Sequence, residues 1–197
     1  KDMILVGCGS AGKETLAILI RQNKADNIFF YDENKFVEDF VFNKFKVIKT
    51  ENELLEKLKI DNRFCVGIGN PRKRRKLYEK FINFNAKPTN IIWDENLLVE
   101  NLPHNASIIQ PCVSISYEVN IGKSCLIHNN SSIGHKVNIG DFVNISPLCS
   151  IIGPCKIGDE TYISAGSIIL PNLSIGNNVY IQAGSIVNRN LKDFETF

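Results

Sequence analysis

An aliphatic residue recurs at every sixth position through the second half of this 197-residue chain, without interruption. A period of six matches neither the 3.6-residue turn of an α-helix nor the two-residue alternation of a β-strand. It is typical of a parallel β-helix, in which each hexapeptide supplies one short strand and one turn, and three hexapeptides complete a triangular coil. Residues eighteen positions apart then stack at the strand spacing of about 4.8 Å. The positions are Ile109, Ile115, Ile121, Ile127, Ile133, Ile139, Ile145, Ile151, Ile157, Ile163, Ile169, Ile175, Ile181 and Val187.

A small or β-branched residue follows the aliphatic position by four in nearly every hexapeptide, as Cys125 does. We expect the aliphatic side chain to fill the interior and the smaller one to fit where the prism narrows. Four glycines are also spaced eighteen residues apart, and we expect them to stack at one corner, where the turn needs conformational freedom. They are Gly122, Gly140, Gly158 and Gly176.

The first half of the chain has the pattern of a small α/β unit. An apolar strand over Met3–Val6 leads into a glycine-rich loop, a helix over Lys13–Arg21 and a second strand over Asn27–Tyr31. This is the G-x-G-x-x-G arrangement between strand and helix, which brings a phosphate to a helix N-terminus. An acidic residue about twenty positions later is expected to bind a ribose. The candidate substrate-binding residues are Gly7, Gly9, Ser10, Ala11, Gly12, Asp32 and Glu33.

The alternation of strand and helix continues to about residue 93. Helices are predicted over Glu51–Leu58 and Arg72–Phe84, and strands over Phe64–Ile68 and Asn90–Trp93. The unit is too short for a full dinucleotide fold, so a nucleotide-linked substrate is favoured over NAD. We therefore predict a Rossmann-like domain over residues 1–88, a linker over 89–107 and a β-helix over 108–197. The fold class is α/β plus all-β.

Composition excludes several other classes of protein. Lys and Arg total 23 against 21 Asp and Glu, so no basic field for nucleic acid exists. No apolar run approaches the length that crosses a bilayer, and no signal-peptide pattern is present, so we expect a cytoplasmic protein without membrane insertion. The six cysteines are scattered without a C-x-x-C pair and are predicted to be small buried hydrophobes. The basic run Arg72–Lys76 is either a solvated helix face or a local phosphate anchor.

A short nucleotide-fold domain followed directly by a hexapeptide β-helix resembles the NeuD-type (PglD-like) sugar acyltransferase family. The resemblance rests on the loop Gly7–Gly12 with Asp32, on Gly67–Asn70, on Ile127–Pro147 and on Leu170–Ser174. It is strongest to bacterial N-acetyltransferases of nucleotide-linked 4-amino-4,6-dideoxy sugars. It implies a left-handed β-helix, acetyl-CoA as cosubstrate, and a homotrimer with active sites between subunits.

The resemblance also implies roles for particular residues. His135 corresponds to the general base, and Gly69, Asn70 and His128 fall in the substrate site. Gly153 lies eighteen residues after His135, where a glycine leaves room for a thioester and its N–H can face the developing oxyanion. The residues expected to bind acetyl-CoA are Ser146, Gly153, Ala165, Ala183, Gly184 and Arg189.

Two positions depart from the family pattern. The acidic residue expected after the catalytic histidine is Lys136, which cannot accept a hydrogen bond from an imidazole N–H. Asp141, or a backbone carbonyl, is therefore the candidate that orients His135. His128 stands where a polar residue, often Asn, is expected near the acceptor amine.

Three other functions compete with this reading. An O-acetyltransferase of the same fold would act on a sugar hydroxyl, such as that of sialic acid. A metal hydratase on the same β-helix would need His104, His128 and His135 to converge, so no metal is predicted. A non-catalytic trimer that binds a sugar nucleotide would retain the cleft and lack transfer.

Overall fold

The computed structural model describes residues 3–94 and 105–197, and its N-terminal part is a parallel sheet with three helices. The sheet order is β3-β4-β2-β1-β5-β6, and only the β3–β4 pair is antiparallel. The strands are β1 (Met3–Val6), β2 (Ile28–Tyr31), β3 (Phe40–Val41), β4 (Phe45–Ile48), β5 (Arg63–Val66) and β6 (Lys87–Pro88). The helices are α1 (Ser10–Arg21), α2 (Glu51–Ile60) and α3 (Pro71–Asn83).

Most predicted elements of this part are present, with shifted ends. The strand predicted over Asn90–Trp93 instead belongs to the coil, where Ile91–Ile92 pairs with Ile108–Ile109, so the coil begins inside the predicted linker. Helix α1 starts at Ser10 rather than Lys13, because Gly9 serves as its N-cap. The hairpin β3–β4 and the short strand β6 were not predicted. The hairpin turns through Phe42 and Asn43, which both have positive φ. Turns of this kind usually carry Asn, Asp or Gly, so a turn that contains phenylalanine is hard to recognise from the sequence.

The second part is a three-sided coil of short parallel strands. Its sheets have the orders β20-β17-β14-β11-β8-β7, β21-β18-β15-β12-β9 and β10-β13-β16-β19. These strands are β7 (Ile91–Ile92), β8 (Ile108–Ile109), β9 (Ser114–Ile115), β10 (Asn120–Ile121), β11 (Leu126–Ile127), β12 (Ser132–Ile133), β13 (Val137–Ile139), β14 (Asn144–Ile145), β15 (Ser150–Ile151), β16 (Cys155–Ile157), β17 (Tyr162–Ile163), β18 (Ile168–Ile169), β19 (Leu173–Ile175), β20 (Tyr180–Ile181) and β21 (Ile186–Val187).

The register of the coil is the eighteen-residue stacking predicted from the repeat. Ile127 pairs with Ile109 below it and with Ile145 above it. The repeat positions form one buried column on each side, and only Ile115, in the first coil, is incompletely buried. The prediction for the cysteines is confirmed at five positions and wrong at Cys112, which is exposed.

The glycine corner is held by a ladder of side-chain oxygens. Asp141 Oδ1 accepts the Lys123 N–H at 2.8 Å, and Asp159 Oδ1 accepts the Asp141 N–H at the same distance. Asn177 Oδ1 then accepts the Asp159 N–H, and Asp193 Oδ1 accepts the Asn177 N–H, each at 2.8 Å. A Cβ on Gly140 would overlap the Asp159 carboxylate, so the ladder requires a glycine there.

Helix α3 joins the two parts of the chain through Arg74, which is 1% exposed. Its Nε donates to Ser124 O at 2.7 Å, and its Nη2 donates to Phe142 O at 2.7 Å and Val143 O at 3.1 Å. Its Nη1 donates to two carbonyls of the β5–α3 loop, Ile68 O at 2.6 Å and Gly69 O at 3.0 Å. Burial lowers the pKa of Arg74 to about 10. A guanidinium that bonds carbonyls on both sides fixes how the coil lies against the α/β part.

Candidate functional site

A cleft of about 640 Å³ lies where the α/β part meets the coil. Its walls come from the loops that follow β1, β2 and β5, from one side of α3, and from the β11–β14–β17 face of the coil. The carboxyl ends of parallel strands are the usual ligand-binding edge of such a sheet. Eight predicted substrate residues line this cleft: Gly7, Gly9, Ser10, Ala11, Asp32, Glu33, Gly69 and His128.

The other two predicted substrate residues are used by the fold instead. A Cβ on Gly12 would overlap the Gly7 carbonyl, so Gly12 is required for the packing of the turn. The Asn70 side chain caps α3 by accepting the Lys73 N–H at 3.0 Å. Neither is among the residues that line the cleft.

The glycine-rich loop presents the start of α1 to the cleft. The N-cap residue is Gly9, which has no side chain to bond the first-turn N–H groups. These N–H groups are therefore available to an anion, and the helix dipole favours negative charge at that end. Gly7 has φ +93°, a conformation that a glycine adopts without strain.

Asp32 ties the end of β2 to this loop. Its Oδ2 accepts both the backbone N–H and the thiol of Cys8 at 3.1 Å, and its Oδ1 accepts the Asn34 N–H at 3.0 Å. Burial, together with Asp32, raises the pKa of the Cys8 thiol to about 12, so the thiol remains a donor at neutral pH. From the sequence, Cys8 is predicted only to be a small buried hydrophobe, because its contact with Asp32 joins residues 24 positions apart.

The basic run on α3 divides among three roles that the sequence could not separate. Lys73 and Lys76 line the cleft and bring positive charge to it. Arg72 and Arg75 instead contact the coil, where Arg75 bonds Glu160 at 2.6 Å and Arg72 bonds Asn178 at 3.2 Å. With Arg74 buried, the solvated-face interpretation is wrong for the middle of the run.

His128 is the cleft residue whose environment most alters its chemistry. Burial lowers its pKa below 6.5, with Glu14 and the Asn144 side chain opposing the shift and Arg74 adding to it. The Nδ1 atom lies 3.9 Å from Oε2 of Glu14 on α1. His128 is therefore held in the neutral form at neutral pH.

Because the pKa of His128 is lowered in the folded protein, the free energy of unfolding depends on pH. A histidine whose pKa is lower in the folded state contributes stability that is present above pH 6.5 and lost as the pH falls through the folded-state value. We expect the free energy of unfolding to fall between about pH 7 and about pH 5, and to fall less in His128→Asn. Urea unfolding at the two pH values measures this, and an equal fall in both proteins would contradict it.

His135 lies at another corner of the coil, between β12 and β13. Its ring stacks on Tyr117, with ring centres 5.3 Å apart and planes inclined by 13°. Gly153 lies directly against it, as the repeat predicts, and a Cβ there would overlap the His135 carbonyl. Gly153 is thus required by the backbone packing at this corner. His135 is not among the residues that line the cleft.

The structure does not support Asp141 as the residue that orients His135. Strand β13 separates the two positions, and the Asp141 carboxylate bonds the Lys123 N–H and lies 3.4 Å from Lys123 Nζ. Lys136 pairs with Glu118 at 3.8 Å. The six-residue repeat already implies this, because six residues along the coil lead to the next corner and only eighteen lead back to the same one.

Replacing Asp141 tests this correction. We expect Asp141→Ala to lower the free energy of unfolding by about 1–2 kcal/mol, because the Lys123 N–H loses a charged acceptor. The rate of the reaction should stay within about twofold, since no contact joins Asp141 to His135. A loss of activity as large as that of a His135 variant would restore the predicted role.

The residues predicted to bind acetyl-CoA lie on two different corners. Ala165, Ala183 and Gly184 are exposed on the corner between the β17 and β18 sides. Ser146, below them, is buried and accepts the Asn144 side-chain amide at 3.2 Å. Arg189 is exposed near the end of the coil and pairs with Glu195 at 2.7 Å.

Two further observations concern function. Among residues 3–94 and 105–197, no three His, Cys, Asp or Glu side chains gather as a metal site requires; His104 lies outside the described residues. In the same ranges, no helix has the length and apolar character needed to cross a bilayer.

Two family models match the chain, one in each half. Residues 2–81 match the PglD N-terminal domain. Residues 109–192 match the GMPPB C-terminal domain. No curated protein sequence matches the chain.

Solved structures match nearly the whole chain in fold. A mutant perosamine N-acetyltransferase from Caulobacter crescentus, in complex with CoA and GDP-perosamine, has a TM-score of 0.85 at 18% identity, covering 98% of this chain and 91% of its own. WeeI from Acinetobacter baumannii AYE has a TM-score of 0.85 at 19% identity, with coverages of 99% and 95%. The acetyltransferase domain of PglB from Neisseria gonorrhoeae FA1090, in complex with acetyl coenzyme A, has a TM-score of 0.73 at 20% identity. The match covers 99% of this chain and 94% of that domain's chain. The resemblance to PglD- and NeuD-type sugar acetyltransferases predicted from the sequence is confirmed.

Proposed function

We propose that the protein is an acetyl-CoA-dependent N-acetyltransferase that acts on the amine of a nucleotide-linked 4-amino-4,6-dideoxy sugar. The observation that carries the proposal is the cleft, whose walls combine a phosphate-binding loop with a polar face of the coil. The structural relatives support it, because two of them are described in complex with CoA and GDP-perosamine or with acetyl coenzyme A.

We assign the nucleotide to the α/β side of the cleft, which we interpret as a Rossmann-like domain. The first-turn N–H groups of α1 and the ammonium groups of Lys73 and Lys76 suit a diphosphate. Asp32 and Glu33 follow β2, where a carboxylate can accept hydrogen bonds from ribose hydroxyls. The sugar then extends toward His128 on the coil.

We assign the proton acceptor to His135 and the acetyl-CoA groove to the exposed corner of Ala165, Ala183 and Gly184, with Arg189 toward the CoA phosphates. Gly153 lies beside His135, where its N–H would face the reacting carbonyl. Because His135 is not part of the cleft of its own chain, we place it at the cleft of a neighbouring copy. A homotrimer of left-handed β-helices, with its active sites between subunits, satisfies this requirement.

The reaction needs few groups once the substrates are positioned. The acetyl thioester supplies an electrophilic carbonyl, and a neutral amine attacks it directly without an acyl-enzyme. The attacking nitrogen then carries a proton that must leave, and imidazole is the side chain best suited to accept it near neutral pH. Cys149 and Cys155 are not nucleophiles in this scheme, because both face the buried interior of the coil.

Free CoA release tests the proposal with a panel of acceptors. The panel pairs nucleotide-linked 4-amino sugars with the corresponding hydroxyl sugars and includes sialic acid. Release with an amino sugar supports N-acetyl transfer, whereas release only with hydroxyl acceptors would identify an O-acetyltransferase. Binding of nucleotide sugar without any release, and without binding of acetyl-CoA, would point to a non-catalytic protein.

A further inference from the structure

Two polar side chains face each other across a gap at the coil side of the cleft. Nδ1 of His128 lies 3.9 Å from Oε2 of Glu14, and both residues line the cleft. This distance is too long for a hydrogen bond between them. Both atoms can therefore bond a third group placed between them, and a group with two or more N–H donors can bond both.

Gln110 holds the Glu14 carboxylate in this position. Its Nε2 donates to Glu14 Oε2 at 2.9 Å, and its Oε1 accepts the Asn129 N–H at 3.2 Å. Gln110 is itself buried. The carboxylate on α1 is thus fixed against the coil by a side chain that has little freedom to move.

Asn144 provides a buried acceptor near His128. Its side-chain oxygen is fully buried and has no hydrogen-bond partner among the described residues, while its amide donates to Ser146 Oγ. The side chain lies close enough to His128 to affect its pKa. A neutral imidazole that donates one N–H to this oxygen presents the lone pair of Nδ1 to the gap.

We propose that Glu14 and His128 bind the acceptor amine as its ammonium ion and that His128 removes the proton which must leave before attack. The inference rests on the proposed function and deepens it. In this step an N–H bond of the ammonium breaks, its electron pair stays on nitrogen, and the proton forms a bond to Nδ1 of His128. The products are a neutral amine and an imidazolium, which Glu14 and the Asn144 oxygen then stabilise.

His128 and His135 would thereby accept different protons in the same reaction. An ammonium loses one proton before it can attack and a second after the new C–N bond has formed. We assign the first to His128 and the second to His135. The charged groups that face His128 are Glu14 from α1 and Arg74 from α3; Asp32, Glu33, Lys73 and Lys76 lie further along the cleft. Burial keeps His128 neutral before the substrate arrives, as a proton acceptor must be.

Binding measurements with His128→Asn and Glu14→Gln test the inference separately from turnover. The ligands are a nucleotide-linked 4-amino sugar and its 4-hydroxyl counterpart, titrated without acetyl-CoA. We expect wild type to favour the amino sugar by about tenfold or more, as a charge-assisted hydrogen bond implies. Both variants should lose this preference and bind the hydroxyl sugar as wild type does. Glu79→Gln, which removes an exposed carboxylate from α3, is the matched control.

The pH profile of kcat/KM provides the second readout. In His128→Asn the amine must lose its proton in solution, so the profile should shift to higher pH and recover most of its rate there. A uniform loss at every pH, or equal weakening of both sugars, would show a structural role and overturn the inference. Turnover of amino sugars with unchanged preference in both variants would overturn it and leave the proposed function intact. Failure of wild type to bind either sugar would instead refute the proposed acceptor, and the inference with it.

Discussion

His135→Ala is expected to lower kcat for acetyl transfer by about 10²–10⁴-fold, the contribution typical of a positioned general base. The nucleotide sugar should bind with nearly unchanged affinity, because we assign its nucleotide to residues on the α/β side of the cleft, such as Lys73 and Lys76. A steady-state assay at saturating acetyl-CoA, with calorimetric binding of the nucleotide sugar, measures both quantities.

Lys136→Ala is the matched control for this variant. Lys136 is at the same corner of the coil and is exposed, with Glu118 as its ion-pair partner. Removing it changes the local charge and leaves the imidazole and the Tyr117 stack in place. We expect its rate to stay within a few-fold of wild type. Equal rates for His135→Ala and wild type would show that another group accepts the proton.

Arg74→Leu is expected to lower the free energy of unfolding by about 3 kcal/mol or more. The leucine leaves carbonyls of the loop and the coil without donors, and a buried unsatisfied acceptor costs about 1–3 kcal/mol. The relief from burying a charge offsets part of this cost. The loss should also weaken binding of the nucleotide sugar, because Arg74 holds the loop of Ile68 and Gly69, which line the cleft.

Arg75→Leu is the comparison that isolates this effect. Arg75 is the next residue on α3 and its side chain is half exposed, in ion pairs with Glu79 and Glu160. The pair with Glu79 is exposed and contributes about 0–1 kcal/mol, and Glu160 keeps Arg72 as a second partner at 4.0 Å when Arg75 is removed. Urea unfolding of the two variants should therefore differ by at least about 2 kcal/mol. A difference under about 1 kcal/mol would show that the carbonyl contacts of Arg74 contribute little.

The coil was predictable in detail because its repeat is local in sequence and strict in space. The aliphatic residue of each hexapeptide must face the interior, so pairs such as Ile127 with Ile145 follow from counting eighteen. The glycine-rich loop and the acid after β2 were predictable for a similar reason. Each rests on the geometry of one strand, one turn and one helix.

The contacts between the two parts of the chain were not predictable in this way. Glu14, Gln110 and His128 come together from an N-terminal helix and two different coils. In the sequence, Arg74 is one of five successive basic residues. Only the packing of α3 against the coil shows that its side chain is buried. Asp141 was assigned to the wrong corner because the expected orienting acid was missing and it was the nearest carboxylate in sequence.

Acetyl transfer to the amine of a nucleotide-linked 4-amino sugar is the measurement that decides whether the protein is an N-acetyltransferase. The protein is incubated with acetyl-CoA and the amino sugar, and the product is identified by mass and by the position of its new bond. We expect one acetyl group on nitrogen for each CoA released, with loss of product in His135→Ala. An unmodified amine across the panel, despite binding of both acetyl-CoA and nucleotide sugar, would contradict it.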